Sequence, residues 1–361
     1  MQKILLFIAS LFYFNSLFAK NEIKSWQGIH ETPLSRLEQQ FADPPVEFAN
    51  HVIWGWEGKM DKKTICNDLD SIKKKGFRAV IFEAGYKLPF KYLSEEWFKA
   101  IRTGVLEAKK RGMKVWIIDE GKYPSGFAGG KFSQERPDLR MQALVIGDTI
   151  QVKRGEVMTN HKIAPEIISA VAVSTSGAPN RTVAINNGEI SFNAGLDDWK
   201  ILLVKSDFRT AVTRAVNNPN GGKDATNSLC DYLNPVAVQQ FIDWTHEQYK
   251  KYLGKELGTT VLGFRGDEPD YAHLPWTPSI VQTFKDTKGY DPTPYLASFF
   301  TTSPTIQEQR VKADYWDVWS SLFATHFFKL QADWCAANGV AHITHLNKEH
   351  EMPACVKAEG D

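Results

Sequence analysis

Net charge is almost absent from this chain. Its 43 Lys and Arg stand against 42 Asp and Glu, a formal +1, which removes any electrostatic basis for a nucleic-acid partner. The runs Lys73-Lys74-Lys75 and Lys109-Lys110-Arg111 fall at the ends of expected helices. Cations there complement the helix dipole, so both read as solvated faces. Cysteine is scarce as well. Cys66, Cys230, Cys335 and Cys355 lie far apart without metal-ligand spacing. A chain of 361 residues with 43% hydrophobic content can bury a core that needs no staples, so most of the cysteines are expected as buried free thiols in helices.

Several fingerprints are missing too. No Gly-x-Gly-x-x-Gly follows the first expected strand, and Phe127-Ala128-Gly129-Gly130 after the third is a misplaced substitute, which argues against a dinucleotide site. Ser125 lacks the Gly-x-Ser-x-Gly elbow of a serine hydrolase. No His-Glu-x-x-His supports a zinc hydrolase. The apolar run Ile4 to Phe14 is too short to span a bilayer. Between Met1-Gln2-Lys3 and Asn15-Ser16-Leu17-Phe18-Ala19 it has the layout of a secretory signal peptide over residues 1–19. No cysteine near Ala19 points to a lipid anchor, so a secreted or periplasmic location is expected.

What is present is alternation of strands and helices. After an irregular lead-in over residues 20–47, Val52 to Trp56 reads as a strand, and Asp61 opens a helix with Ile65, Leu69 and Ile72 on one face, stopped by Gly76. Arg78 to Glu83 is a second strand, Ser94 to Arg111 a second helix before Gly112, and Lys114 to Glu120 a third strand. Residues 48–140 thus read as repeated βα units on a parallel sheet. Over residues 141–206 the period changes to two, with Asn186-Asn187-Gly188 marking a hairpin, so an all-β insertion is expected. The βα pattern resumes over residues 207–361. Asn234-Pro235 opens a helix running to about Leu253, Thr260 to Phe264 forms a fourth strand ending at a glycine, an aromatic-rich helical region spans about Ile306 to Ala337, and Val340 to His345 is a fifth strand. The expected fold class is α/β of the (β/α)8 TIM-barrel type, incomplete, with about five βα units, because closure needs eight strands.

Loops after strand C-termini carry the chemistry in such folds. There the sequence places Trp54 and Trp56, then Glu83, then Asp119, Glu120 and Tyr123, then Arg265, Asp267 and Glu268, then His345 and Asn347. Each alone has a plain structural explanation. Asp267 could cap a helix, Trp54 and Trp56 are taken singly more often core than platform, and His345 is as often structural as functional. Collected on one rim, carboxylates and aromatic platforms suit glycoside cleavage: an acid for the leaving oxygen, a second carboxylate for water or carbon, and flat surfaces for sugar rings. Two other readings stay open. One is a carbohydrate-binding protein without a competent acid/base pair. The other is a metal-dependent hydrolase built on Asp119, Asp267 and His345.

The series Trp54-Gly55-Trp56, Asp119-Glu120-Gly121-Lys122-Tyr123-Pro124-Ser125-Gly126 with Ala128-Gly129-Gly130, Asp231-Tyr232-Leu233-Asn234-Pro235, Gly263-Phe264-Arg265-Gly266-Asp267-Glu268-Pro269 and Glu359-Gly360-Asp361 resembles bacterial glycoside hydrolase family 106, of α-L-rhamnosidases and related pectin-degrading proteins. The resemblance runs from about residue 45 onward and corresponds to the N-terminal part of that family. It implies a secreted, exo-acting, inverting hydrolase on a barrel, with calcium as a cofactor type and a carbohydrate as partner. By position Glu268 takes the general-acid role. The base lies further along the barrel in such enzymes, and Glu359 is the candidate here.

Overall fold

A computed structural model describes residues 34–43, 50–121, 123–210, 213–214, 223–224, 228–271 and 273–345. The expected signal peptide, Asn347, Cys355 and Glu359 lie outside the described residues. The chain divides into two units, residues 1–49 and 50–361. In the first, the expected irregular lead-in contains a helix, α1 (Leu34–Ala42), whose Leu34, Leu37 and Phe41 are exposed.

The second unit opens with β1 (His51–Trp56), α2 (Lys62–Lys74), β2 (Ala79–Ala84), α3 (Glu95–Lys110) and β3 (Lys114–Ile118). Local chemistry sets these bounds. Asp61 accepts from the Thr64 amide at 2.9 Å to cap α2, and Ser94 accepts from the Trp97 amide to cap α3. Glu95 and Glu96 in the first turn of α3 and Lys109 and Lys110 in its last complement its dipole. A short α4 (Lys131–Glu135) comes next.

The chain then leaves the repeat for β4 (Gln142–Val152), β5 (Val157–Lys162), β6 (Ile167–Ser174), β7 (Arg181–Thr182), β8 (Ile185–Asn186), β9 (Glu189–Asn193) and β10 (Trp199–Phe208). β10 pairs antiparallel with β4 and β6, while β9 pairs with β5 and β8 across Asn187-Gly188, both in the left-handed region that a tight hairpin needs. Three pairs of short elements complete this stretch and its return: a ribbon of β11 (Thr213–Arg214) and β12 (Lys223–Asp224), then α5 (Pro235–Trp244) and α6 (His246–Leu253), then β13 (Val261–Asp267) and β14 (Pro275–Trp276). β14 pairs with β4, so the insertion takes a strand from beyond β13 as well.

Last come α7 (Ile280–Lys288), α8 (Ile306–Leu322), α9 (Lys329–Ala337) and β15 (Ala341–His345). Thr305 and Glu308 form a reciprocal capping box at the start of α8. The expected helical region from about Ile306 to Ala337 carries a π-helical turn at Phe323–Phe328 between α8 and α9. The helix expected up to Leu253 is broken at Thr245, whose hydroxyl donates to the Phe241 carbonyl.

The parallel sheet has the order β1-β2-β3-β13-β15. Strand alternation gives it two unlike faces. Trp54, Trp56, Phe82, Val115, Ile117 and Phe264 lie on the face covered by α2, α3 and α6 and form one core with them. Helix α3 comes close through Gly104, where an added Cβ would stand 2.9 Å from the Phe82 ring. The opposite face carries Ile53, 49% exposed, and Ile343, 41% exposed, with half-buried Glu83, Trp116 and Arg265 between them. Trp116 lies across Gly263, where an added Cβ would fall 2.4 Å from its ring. Cys66, Cys230 and Cys335 are free thiols. Cys66 and Cys335 lie in helices, as expected of most of the cysteines, while Cys230 sits in an isolated β-bridge with Arg140.

Candidate active site at the strand tips

The sequence predicts that β13 stops at Phe264. The strand runs on through Gly266 to Asp267, because Gly266 and Asp267 pair in register with Thr344 and His345 of β15. This register brings the His345 ring to Asp267, with Nδ1 3.3 Å from Asp267 Oδ1. Glu268 would alternate to the other face, but its φ of +37° turns the chain, and its amide donates to the His345 carbonyl at 3.0 Å. Glu268 Oε1 therefore reaches the same Nδ1 at 3.2 Å. Arg265 Nη1 stands 3.4 Å from Asp267 Oδ1. Two carboxylates thus share one imidazole at a partly open rim. Asp267 is 22%, Glu268 34% and His345 51% exposed in their side chains.

At the tip of β3, Asp119 and Glu120 are wholly buried. The Ser125 hydroxyl donates to Asp119 Oδ1 at 2.6 Å and accepts from the Asp267 amide at 2.7 Å. Asp119 Oδ2 meets no partner among the described residues. Burial lifts the Asp119 carboxyl well above the usual carboxylate range, against the Ser125 hydrogen bond. Glu120 turns inward, where the amides of Gly121 and Gly129 donate to Oε1 at 2.6 and 3.0 Å and that of Ala128 to Oε2. Burial pushes its carboxyl up to about 7, while those amides pull it down. Glu120 organises the loop from Gly121 to Gly130 instead of facing the rim. Tyr123 in that loop is half-buried and precedes a cis peptide bond to Pro124.

The two tryptophans expected as sugar platforms are core residues. Trp54 and Trp56 lie on the helix-covered face, with Trp56 wholly buried and the ring centroids 5.3 Å apart. Alternation correctly puts both on one side, but that side packs on α3. Glu83 sits on the open face opposite Gly55 in register, 3.4 Å from where a Gly55 Cβ would be.

The structure therefore brings together Asp267, Glu268, His345 and Arg265 and joins them through Ser125 to Asp119. Trp54, Trp56 and Glu120 stand apart from that group, inside the protein. Sequence reasoning gives no positioning role to Ser125, which it rejects as a nucleophile. Away from this group Asp231 is buried, with Oδ2 unpartnered among the described residues and its carboxyl pushed up to about 7 by burial. The Asp-Tyr-Leu-Asn-Pro run is the signal that singles out Asp231. Among the described residues no three or more His, Cys, Asp or Glu side chains form a metal-binding group.

The parallel βα sheet, with carboxylate, guanidinium and imidazole side chains gathered at its C-terminal rim, makes this an α/β protein. Comparison with known proteins narrows this. Residues 161–357 match the family model described as alpha-L-rhamnosidase, and the chain belongs to this family, glycoside hydrolase family 106. A Formosa agariphila protein named "Putative beta-glucuronidase" is 23% identical over 394 residues, covering 94% of this chain and 32% of its own length. The solved rhamnosidase from Novosphingobium sp. PP1Y superposes with a TM-score of 0.62 at 15% identity, over 88% of this chain and 47% of its own, and shows a shared fold. The chain thus spans about a third of the curated relative and about half of the solved structure.

Proposed function

We propose that this chain is a glycosidase with Glu268 as its general acid, exported from the cytoplasm and acting at the end of plant-derived oligosaccharides such as those of pectin, with a rhamnoside as substrate. The observation that carries the reading is the meeting of Glu268 and Asp267 on the His345 ring at the end of β13. Family membership supports the reaction class, and the leader-like residues 1–19 support export.

Glu268 protonates the leaving oxygen. His345 orients that carboxyl, and Asp267 and Arg265 hold sugar hydroxyls. The base that activates water is Glu359, beyond the described residues, and an inverting outcome requires it to stand roughly 6.5 to 9.5 Å from Glu268. The five parallel strands form the first part of a (β/α)8 barrel, whose interior is the open face that carries Ile53, Glu83, Trp116 and Ile343.

The test is hydrolysis of an alkyl α-L-rhamnoside, whose poor leaving group needs protonation, beside a nitrophenyl rhamnoside, which needs less. Glu268→Gln lowers kcat on the alkyl glycoside by about 100- to 10,000-fold and on the nitrophenyl glycoside by much less. Equal activity of Glu268→Gln and wild type on the alkyl substrate removes Glu268 from the role. The anomer first released, read by NMR, separates inversion from retention.

A second reading comes from Arg265. Its guanidinium on the open face beside Asp267 suits a planar carboxylate, and the Formosa agariphila relative carries a glucuronidase name. A β-glucuronide in the same assay separates the two. Hydrolysis of the uronide that is lost in Arg265→Gln, with the rhamnoside inert, selects the uronate.

A further inference from the structure

We propose that Ser125 is a positioning residue for the acidic tip of β13, acting through the backbone of Asp267 and steadied by Asp119; this rests on the glycosidase reading of that tip. Ser125 is 1% exposed and all three of its polar atoms are engaged. Its amide donates to the Asp267 carbonyl at 2.9 Å, its Oγ accepts from the Asp267 amide at 2.7 Å, and its carbonyl accepts from the Tyr232 hydroxyl.

The Asp267 amide sets one direction in this network. The Asp267 amide can only donate, so Ser125 Oγ must accept there, and its single proton is left for Asp119 Oδ1, 2.6 Å away. A carboxyl at that point fixes the hydroxyl rotor. Tyr232 closes the other side, packing so tightly over Gly126 that a Cβ there would lie 2.5 Å from its ring. Residue 125 is thus clamped from β3, from its own loop and from the Tyr232 loop, and it grips Asp267 by both backbone polar groups.

The conformation of the next residue makes the grip matter. Glu268 leaves the strand in the left-handed region, an arrangement a glutamate holds only where neighbours impose it. Its carboxyl meets His345 at 3.2 Å because the preceding residue is pinned. Loss of the Ser125 hydroxyl frees the Asp267 amide, lets the turn at Glu268 relax, and moves the carboxyl off the ring. A displacement on the order of 1 Å at a reacting group costs about 100-fold in rate.

The experiment uses the full chain with Ser125→Ala and Ser125→Thr, read by the ring resonances of His345 in proton–nitrogen NMR and by kcat and KM on an alkyl α-L-rhamnoside. In Ser125→Ala the His345 signals move and kcat falls by about tenfold or more with KM held, while Ser125→Thr returns both toward wild type. A purely structural hydroxyl lowers the melting temperature and leaves the His345 signals in place; that result overturns the proposal, as does Ser125→Thr shifting them as far as alanine. If Ser125→Ala does not fold, Tyr232→Phe carries the test. It removes the hydroxyl that holds the Ser125 carbonyl and moves the His345 signals by a smaller amount, and unmoved signals count against the clamp. Where wild type cleaves neither the rhamnoside nor the β-glucuronide the glycosidase reading fails by itself, and the NMR arm still decides whether Ser125 sets the geometry of the tip.

Discussion

Glu120 shows how one side chain can serve a loop instead of a substrate. Its carboxylate gathers three amides from Gly121, Ala128 and Gly129, and Glu120→Gln leaves at least one N–H facing an N–H. The expected outcome is a loss of about 2 kcal/mol of stability, measured by urea unfolding at about pH 8, where the folded-state carboxyl is ionised. The same group carries a pH signature. Its carboxyl rises in the fold from 4.5 to about 7, so the folded state holds the proton more tightly than the unfolded chain does. That contribution is complete below pH 4.5 and is lost as pH rises through about 7. Glu120→Gln removes this slope, which a series of unfolding curves from about pH 4 to 8 detects. Adjacent carboxylates at residues 119 and 120 point from sequence to a site, and one of them is inside for a reason no local pattern records: its partners are amides up to nine residues away. Ser125 is harder still, since its amide partner lies 142 residues further along the chain.

Among the elements, caps and stop signals are readable and long-range breaks are not. Asp61, Ser94 and Asn234 start helices where their side chains can accept the first amides, and Gly76 and Gly112 take the left-handed conformation just beyond the helix ends. Alternation tells correctly that Trp54 and Trp56 share a face, but not which face, because both sides of a parallel strand can be apolar. The break at Thr245 and the pairing of β14 with β4 depend on tertiary contacts. The seam between β13 and β15 is the element most exposed to a single change. A Cβ on Gly263 would fall 2.2 Å from the Ala341 carbonyl oxygen as well as against Trp116, so Gly263→Ala must push the strands apart. We expect a destabilisation of about 1 to 3 kcal/mol, as for an overpacked core, together with faster amide exchange at Arg265 and Asp267. Unchanged exchange there means that the seam tolerates the methyl.

At the scale of the molecule, acid is the weak direction. His246 is wholly buried, its Nδ1 beside the Thr245 hydroxyl and its Nε2 unpartnered among the described residues, with the ring 4.3 Å from Phe264. Burial lowers it to about 3 and lowers neighbouring His342 to about 4. Both must stay neutral to remain packed. Their contribution is full above pH 6.5 and is lost as pH falls through about 4 and then 3. Between pH 4.5 and 6.5 the two histidines oppose the two raised carboxyls of Glu120 and Asp231, so the unfolding midpoint should vary little there and fall as pH drops below about 4. His246→Phe, which keeps the ring and drops the titration, should flatten the acid limb in thermal melts. The recurrence of strand and helix, the inserted antiparallel block and the line of chemical groups along strand ends can be read from residues alone. The depth of each group cannot, because it is set by the helices that lie over it.

The order of the parallel sheet also has a consequence for solubility. Among the described residues neither β1 nor β15 has a neighbour on its outer side, so each presents a ladder of unspent amides and carbonyls, and the apolar side chains of Ile53 and Ile343 flank those margins. Such borders are templates for adhesion. Purified on its own, this polypeptide should gather into concentration-dependent assemblies in light scattering, and lysine placed at Ile53 and Ile343 should disperse them.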